Sequence, residues 1–219
     1  MEGNQPELVN QLMFITELLA TFAYAISGIR HASAKHCDWF GGFTVGFVVA
    51  IGGGTVRDLL LGVTPFWMTN PLYIICTVMA QICVLLFGKL IRKLNNAWLV
   101  FDTLGLALYT IVGMQKTLDL SYPFWVAITM GTITGCAGGI IRDVLLNNTP
   151  VIFHREIYAM ASVVGGAIYC TMFHLGTDIT VCATATFIII LLIRFLSIRY
   201  HLSLPHLHSV DGDASEDEE

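Results

Sequence analysis

Charge is what this sequence has least of: Asp, Glu, Lys and Arg supply 12% of its 219 residues, about half their share in a soluble domain. Hydrophobic residues supply 55% and the mean hydropathy is +0.71, which excludes an ordinary soluble fold and points to an all-α membrane protein. Paired cysteine motifs are missing too. Cys37, Cys76, Cys83, Cys136, Cys170 and Cys182 stand singly in mostly apolar stretches. That excludes a zinc or disulfide framework and leaves them as small buried residues. No H-E-x-x-H, nucleophile elbow or phosphate-binding loop occurs, so no enzyme, cofactor or metal site is expected, and no nucleic-acid partner. His31, His36, His154, His174, His201, His206 and His208 lie mostly near the edges of apolar stretches and fit interfacial places. Met1 to Gln11 is polar without a basic leader region, so a removable signal peptide is not expected.

The formal charge of -5 is local. Six of the sixteen acids, Asp211, Asp213, Glu216, Asp217, Glu218 and Glu219, fall in the last nine residues. Without them ten acids face eleven Lys and Arg, and the body is close to neutral. Residues 201–219 therefore read as a solvated, disordered acidic tail.

Seven stretches approach the roughly 20 apolar residues of a membrane span: about 12–30, 40–62, 71–91, 97–114, 123–147, 154–174 and 179–198. Thr64-Pro65 and Thr149-Pro150 end helices, because the residue before proline is driven out of the α region. With the N-terminus outside and the C-terminus cytoplasmic, Arg30, Lys35, Lys89, Arg92, Lys93, Arg155, Arg194 and Arg199 gather on the inner side. Only Lys116 lies outside, a strong positive-inside bias. Arg57 and Arg142 fall within spans.

A shift of 85 residues lays the thirteen residues from Gly53 to Pro65 on those from Gly138 to Pro150, with eight identities. The same register pairs Glu17 with Asp102, Tyr24 with Tyr109, Gly28 with Gly113 and Tyr73 with Tyr158. The chain divides into a first three-helix repeat at 12–94, a second at 97–175, a seventh transmembrane helix at 179–200 and the tail. Three is odd, so the second repeat enters the membrane from the opposite side, an inverted-repeat architecture.

Each repeat carries Gly-Gly-x-x-Arg-Asp in its middle helix. Gly52, Gly53, Gly54, Gly138 and Gly139 are expected to break helices two and five, because consecutive glycines weaken a helix and permit other backbone. Freed backbone groups must then be buried or line a polar cavity between the repeats. The stripe Gly42, Gly46, Ala50, Gly54, with Ala127, Gly131, Gly135, Gly139 as its shifted copy, suits close helix packing or a conduction path. Arg57, Asp58, Arg142 and Asp143 are candidate pore charges or a cross-repeat lock, Arg57 with Asp143 and Arg142 with Asp58. Glu17 and Asp102 are candidate pore-mouth carboxylates. Helix dipoles and arginines favour an anion or a carboxylate, whereas freed carbonyls and acids favour a cation, so the residues themselves leave the sign open.

The doubled motif in a seven-span chain of this size resembles the trimeric intracellular cation channel superfamily, in the bacterial branch with a duplicated "glycine transporter" domain. The resemblance covers about residues 12–198. It implies a homotrimer in a bacterial inner membrane, among membrane lipids, each subunit passing monovalent cations, chiefly potassium. The pore would run among spans one, two, four and five, past kinks at Gly52 to Gly54 and Gly138 to Gly139. The alternative is a secondary transporter for glycine or another small zwitterion, whose carboxylate would seat on a half-helix N-terminus.

Overall fold

The structure is a computed structural model that describes residues 5–93, 97–154 and 157–200. The acidic tail and Arg155 lie outside the described residues. Among the described residues the fold is all helix: α1 (Gln5–Ala34), α2 (Trp39–Leu60), α3 (Phe66–Thr69), α4 (Leu72–Lys93), α5 (Ala97–Asp119), α6 (Phe124–Leu145), α7 (Val151–His154), α8 (Tyr158–His174) and α9 (Ile179–Tyr200). The order long, long, short, long occurs twice, and α9 follows. Among the described residues five helices are long and apolar enough to cross a membrane: α1, α2, α5, α6 and α9. Leu72–Gly88 in α4 is a shorter apolar helix, and α8 has 17 residues.

Local chemistry sets the ends. Asp38 caps α2, its side chain accepting from the Gly41 amide at 2.7 Å. At the other end Gly62 turns the chain with φ +70°, and Asn147 does the same after α6 with φ +52°. These are the residues that tolerate the left-handed region. Val63 N–H then bonds Asp58 C=O at 2.9 Å, and Asn148 N–H bonds Asp143 C=O at 2.8 Å, which closes both helices in the Schellman manner. Both carbonyls belong to the motif aspartates, so the end of the helix and the charged motif are one construction.

The expected glycine breaks do not form. α2 is helical through Gly52, Gly53 and Gly54, and α6 through Gly138 and Gly139. The glycines serve close approach instead. A Cβ on Gly53 would strike the Thr134 carbonyl oxygen, and one on Gly138 would come within 2.6 Å of the Val49 oxygen. Val49 meets Gly138 while Gly53 meets Thr134, so α2 and α6 cross antiparallel, backbone on backbone. The small-residue stripe packs likewise. A Cβ on Gly28 of α1 would sit 3.0 Å from the Gly46 Cα, and one on Gly113 of α5 3.0 Å from the Gly131 Cα.

Candidate functional site

Four helices, α1, α2, α5 and α6, enclose the charged groups, which gather at two opposite ends of the bundle. In the first cluster Arg57 lies fully buried on α2. Its Nε donates to Asp58 Oδ1 at 2.7 Å and its Nη2 to Glu17 Oε1 at 3.2 Å, while the guanidinium lies 5.6 Å from the Phe66 ring centre. Asp58 Oδ2 accepts the Phe66 amide at 2.8 Å, which fixes the chain turning into α3. Lys116 Nζ reaches Asp58 Oδ1 at 2.8 Å from α5, and Tyr73 donates to Glu17 Oε2 at 2.7 Å.

The second cluster repeats this plan 85 residues on. Arg142, fully buried on α6, donates from Nε to Asp143 Oδ1 at 2.8 Å and from Nη1 to Asp102 Oδ1 and to Ser27 Oγ, the latter at 2.9 Å. Trp98 takes the place of Phe66 under the guanidinium, at 5.4 Å. Asp143 Oδ2 accepts the Val151 amide at 3.0 Å. One nitrogen of each arginine, Nη1 of Arg57 and Nη2 of Arg142, has no hydrogen-bond partner among the described residues.

The anticipated exchange of Arg57 with Asp143 and Arg142 with Asp58 is therefore corrected. Adjacent side chains leave a helix about 100° apart, yet the long arginine folds back so that Nε meets the neighbouring carboxylate. Its far end then finds Glu17 or Asp102 of the same repeat. Those two acids are partners of the motif arginines: the Glu17 side chain is 12% exposed and that of Asp102 fully buried. The ion pair that does cross between the halves, among the described residues, is Lys116 to Asp58, and Lys116 stood in the sequence only as an isolated outer charge.

Between the clusters, Tyr24 and Tyr109 stack with ring centres 5.5 Å apart. Tyr109 donates to Ala50 C=O at 2.6 Å and Tyr24 to Gly135 C=O, so each tyrosine binds the turn that leads into the other half's glycines. Periodicity marked both only as matching positions. Arg194 was missed as well. Counted as an inner-face charge, it lies fully buried on α9, 4.7 Å from the Tyr158 ring centre, and none of its nitrogens has a hydrogen-bond partner among the described residues. Cys37 is exposed rather than buried, and no cysteine is paired. A cavity of about 220 Å³ opens beside Glu17 and Lys116, and another of about 460 Å³ lies against Arg30, Asp38 and Gln81 between α1, α2 and α4.

Apolar helices, doubled Arg-Asp clusters and a glycine crossing mark an integral membrane protein. The profile of the glycine transporter family matches twice, at residues 14–89 and 99–174, and the chain belongs to that family. A UPF0126 membrane protein of Vibrio cholerae is 37% identical over 92% of this chain and 85% of its own length. The inner membrane protein YadS of Escherichia coli K12 is 34% identical over 89% of this chain and 95% of its own. Among solved structures, a trimeric intracellular cation channel orthologue from Rhodobacter sphaeroides superimposes with a TM-score of 0.83 at 30% identity, covering 87% of this chain and 99% of that one. That neighbour is a channel, not an enzyme.

Proposed function

We propose that this protein is a channel for monovalent cations, chiefly potassium, with a path inside each subunit of a homotrimer. The observation that carries the reading is the likeness, at 30% identity over almost the whole neighbour, to a protein described as a trimeric cation channel. The path follows the interface of α1, α2, α5 and α6 from one arginine–carboxylate cluster to the other. In this conformation it is closed, because the stacked Tyr24 and Tyr109 and the glycine crossing fill the space between the clusters. Seven spans cross the membrane, α1, α2, α4, α5, α6, α8 and α9, with the N-terminus outside. The antiparallel contact of α2 with α6 supports two inverted repeats.

The family's name favours a second reading, a transporter of glycine. Its physical basis was a carboxylate seated on a half-helix N-terminus, and uninterrupted α2 and α6 offer none at the glycines. Flux of potassium, glycine and chloride through purified protein in sealed liposomes separates the two. Passive potassium flux that follows the membrane potential is expected. Saturable glycine uptake without potassium conductance would replace the channel by the transporter.

A further inference from the structure

The two clusters differ in formal charge at one equivalent position. Residue 116 is lysine, and 85 residues earlier stands His31. In the first cluster Lys116 and Arg57 balance Glu17 and Asp58, so its formal charge is zero. In the second, among the described residues Arg142 alone pairs with Asp102 and Asp143, which leaves one negative charge among these three groups. A further donor is lost there. Tyr73 satisfies Glu17 Oε2, but Asp102 is one methylene shorter, and its Oδ2 is buried with no hydrogen-bond partner among the described residues.

His31 sits on α1 beside this second cluster, half-buried and edge-on to Trp98 with ring centres 4.9 Å apart. Asn148, just after the turn that closes α6, donates from Nδ2 to His31 Nε2 at 3.0 Å. An amide NH₂ donates, so in this arrangement Nε2 accepts with its lone pair, while the buried Nδ1 has no hydrogen-bond partner among the described residues. Among the described residues the largest influence on the ring is its burial, which disfavours the charged form, as do Arg142 on α6 and Lys35 on its own helix; Asp143 on α6 and Asp102 on α5 favour it.

We infer that His31 is the proton-binding site of this cluster, and that taking up one proton there gives the second end of the bundle the charge that Lys116 supplies permanently at the first. The incoming proton bonds to Nε2, whose lone pair it uses, and Asn148 turns its amide to offer Oδ1 instead. No other group changes its bonding. Acid thus cancels the surplus negative charge of the Asp102 and Asp143 cluster and lowers the local attraction for a cation. Resting on the channel reading and the orientation proposed above, the effect on conduction is an inhibition from the cytoplasmic side.

The test uses the full chain labelled with ¹⁵N-histidine in lipid nanodiscs, with His31→Gln identifying the ring's signals. As the pH falls from about 8 to about 4, a range that runs below the ordinary imidazole titration because burial disfavours the charged ring, His31 is expected to pass from the neutral to the doubly protonated pattern. In liposomes, wild-type potassium flux is expected to fall about threefold or more when the His31 side is acidified. His31→Lys should be slow and His31→Gln fast, both without dependence on pH, and Lys116→His should create a second response from the opposite side. Ring signals that stay neutral throughout that range would overturn the inference, as would an unchanged pH response in His31→Gln. Signals that move with potassium at constant pH would assign the missing charge to a metal cation and equally overturn it. Ring titration needs no flux, so it remains decisive even if the protein conducts nothing.

Discussion

Arg57 and Arg142 are cations with no exposed surface, and a charge inside a membrane protein is costly without partners close by. Each shares its load between the next residue in sequence and an acid forty residues before it. Removing one partner from such a buried pair costs about 3–5 kcal/mol, because the other charge is left uncompensated. The pairing can be read by double-mutant cycles on thermal unfolding in detergent. Arg57→Gln and Glu17→Gln should couple by about 0.5–3 kcal/mol, whereas Arg57→Gln and Asp143→Asn should add to within about 0.5 kcal/mol. Strong coupling of the second pair would reinstate a lock between the halves. The arginines were legible in the sequence as charges needing partners, and Glu17 and Asp102 as equivalent acids. Their union was not, since an arginine side chain reaches several ångströms in many directions and only the packing of α1 on α2 and of α5 on α6 selects one.

At the scale of the helix, the doubled glycines were visible as unusual, but their use was misjudged. Weak helix propensity suggested a break; the fold keeps the helix and uses the missing side chains to bring α2 and α6 into contact. Close packing of small residues drives helix association where lipid removes the hydrophobic drive, so this use suits the membrane. What the pattern could not reveal is the partner, because the same stripe serves any neighbour. The stripe itself and the prolines that follow α2 and α6 were readable, because each depends on nearby residues only; the left-handed turns at Gly62 and Asn147 went unread. Gly53→Ala or Gly138→Ala should destabilise by at least about 1–3 kcal/mol, the cost of overpacking a tight contact. Gly88→Ala in α4 is the control. A Cβ there meets nothing within 4 Å, so the change should be neutral or stabilise by up to about 1 kcal/mol through helix propensity. Equal losses for all three in a thermal-shift assay would show that the crossing is not the sensitive contact. Removing the hydroxyl in Tyr24→Phe or Tyr109→Phe should cost about 1 kcal/mol each and, if the stacked pair holds the closed state, raise resting potassium leak.

Across the whole molecule, on the path proposed above, the two clusters stand in series, so a permeating ion would meet both fields, and they are not equal. Substituting Asp58 by asparagine leaves Arg57 and Lys116 against Glu17, a net positive end. Substituting Asp143 leaves Arg142 against Asp102, a neutral end. Asparagine retains an oxygen to accept the amide of Phe66 or Val151, so the turns after α2 and α6 keep their anchor. For a cation the positive end is the higher barrier: Asp58→Asn should cut potassium flux further than Asp143→Asn, by about threefold or more, with the difference shrinking as salt screens the charge. Particle mass near three times 24.1 kDa for both variants would certify that each is still assembled as proposed. A carboxylate-bearing solute reverses the order, because the end made positive by Asp58→Asn would attract it. Potassium and glycine flux measured on the same two proteoliposome preparations therefore give opposite rankings for a cation channel and a carboxylate carrier. Identical losses in both variants would mean that neither cluster faces the path and that Arg57 and Arg142 serve only to hold the bundle together.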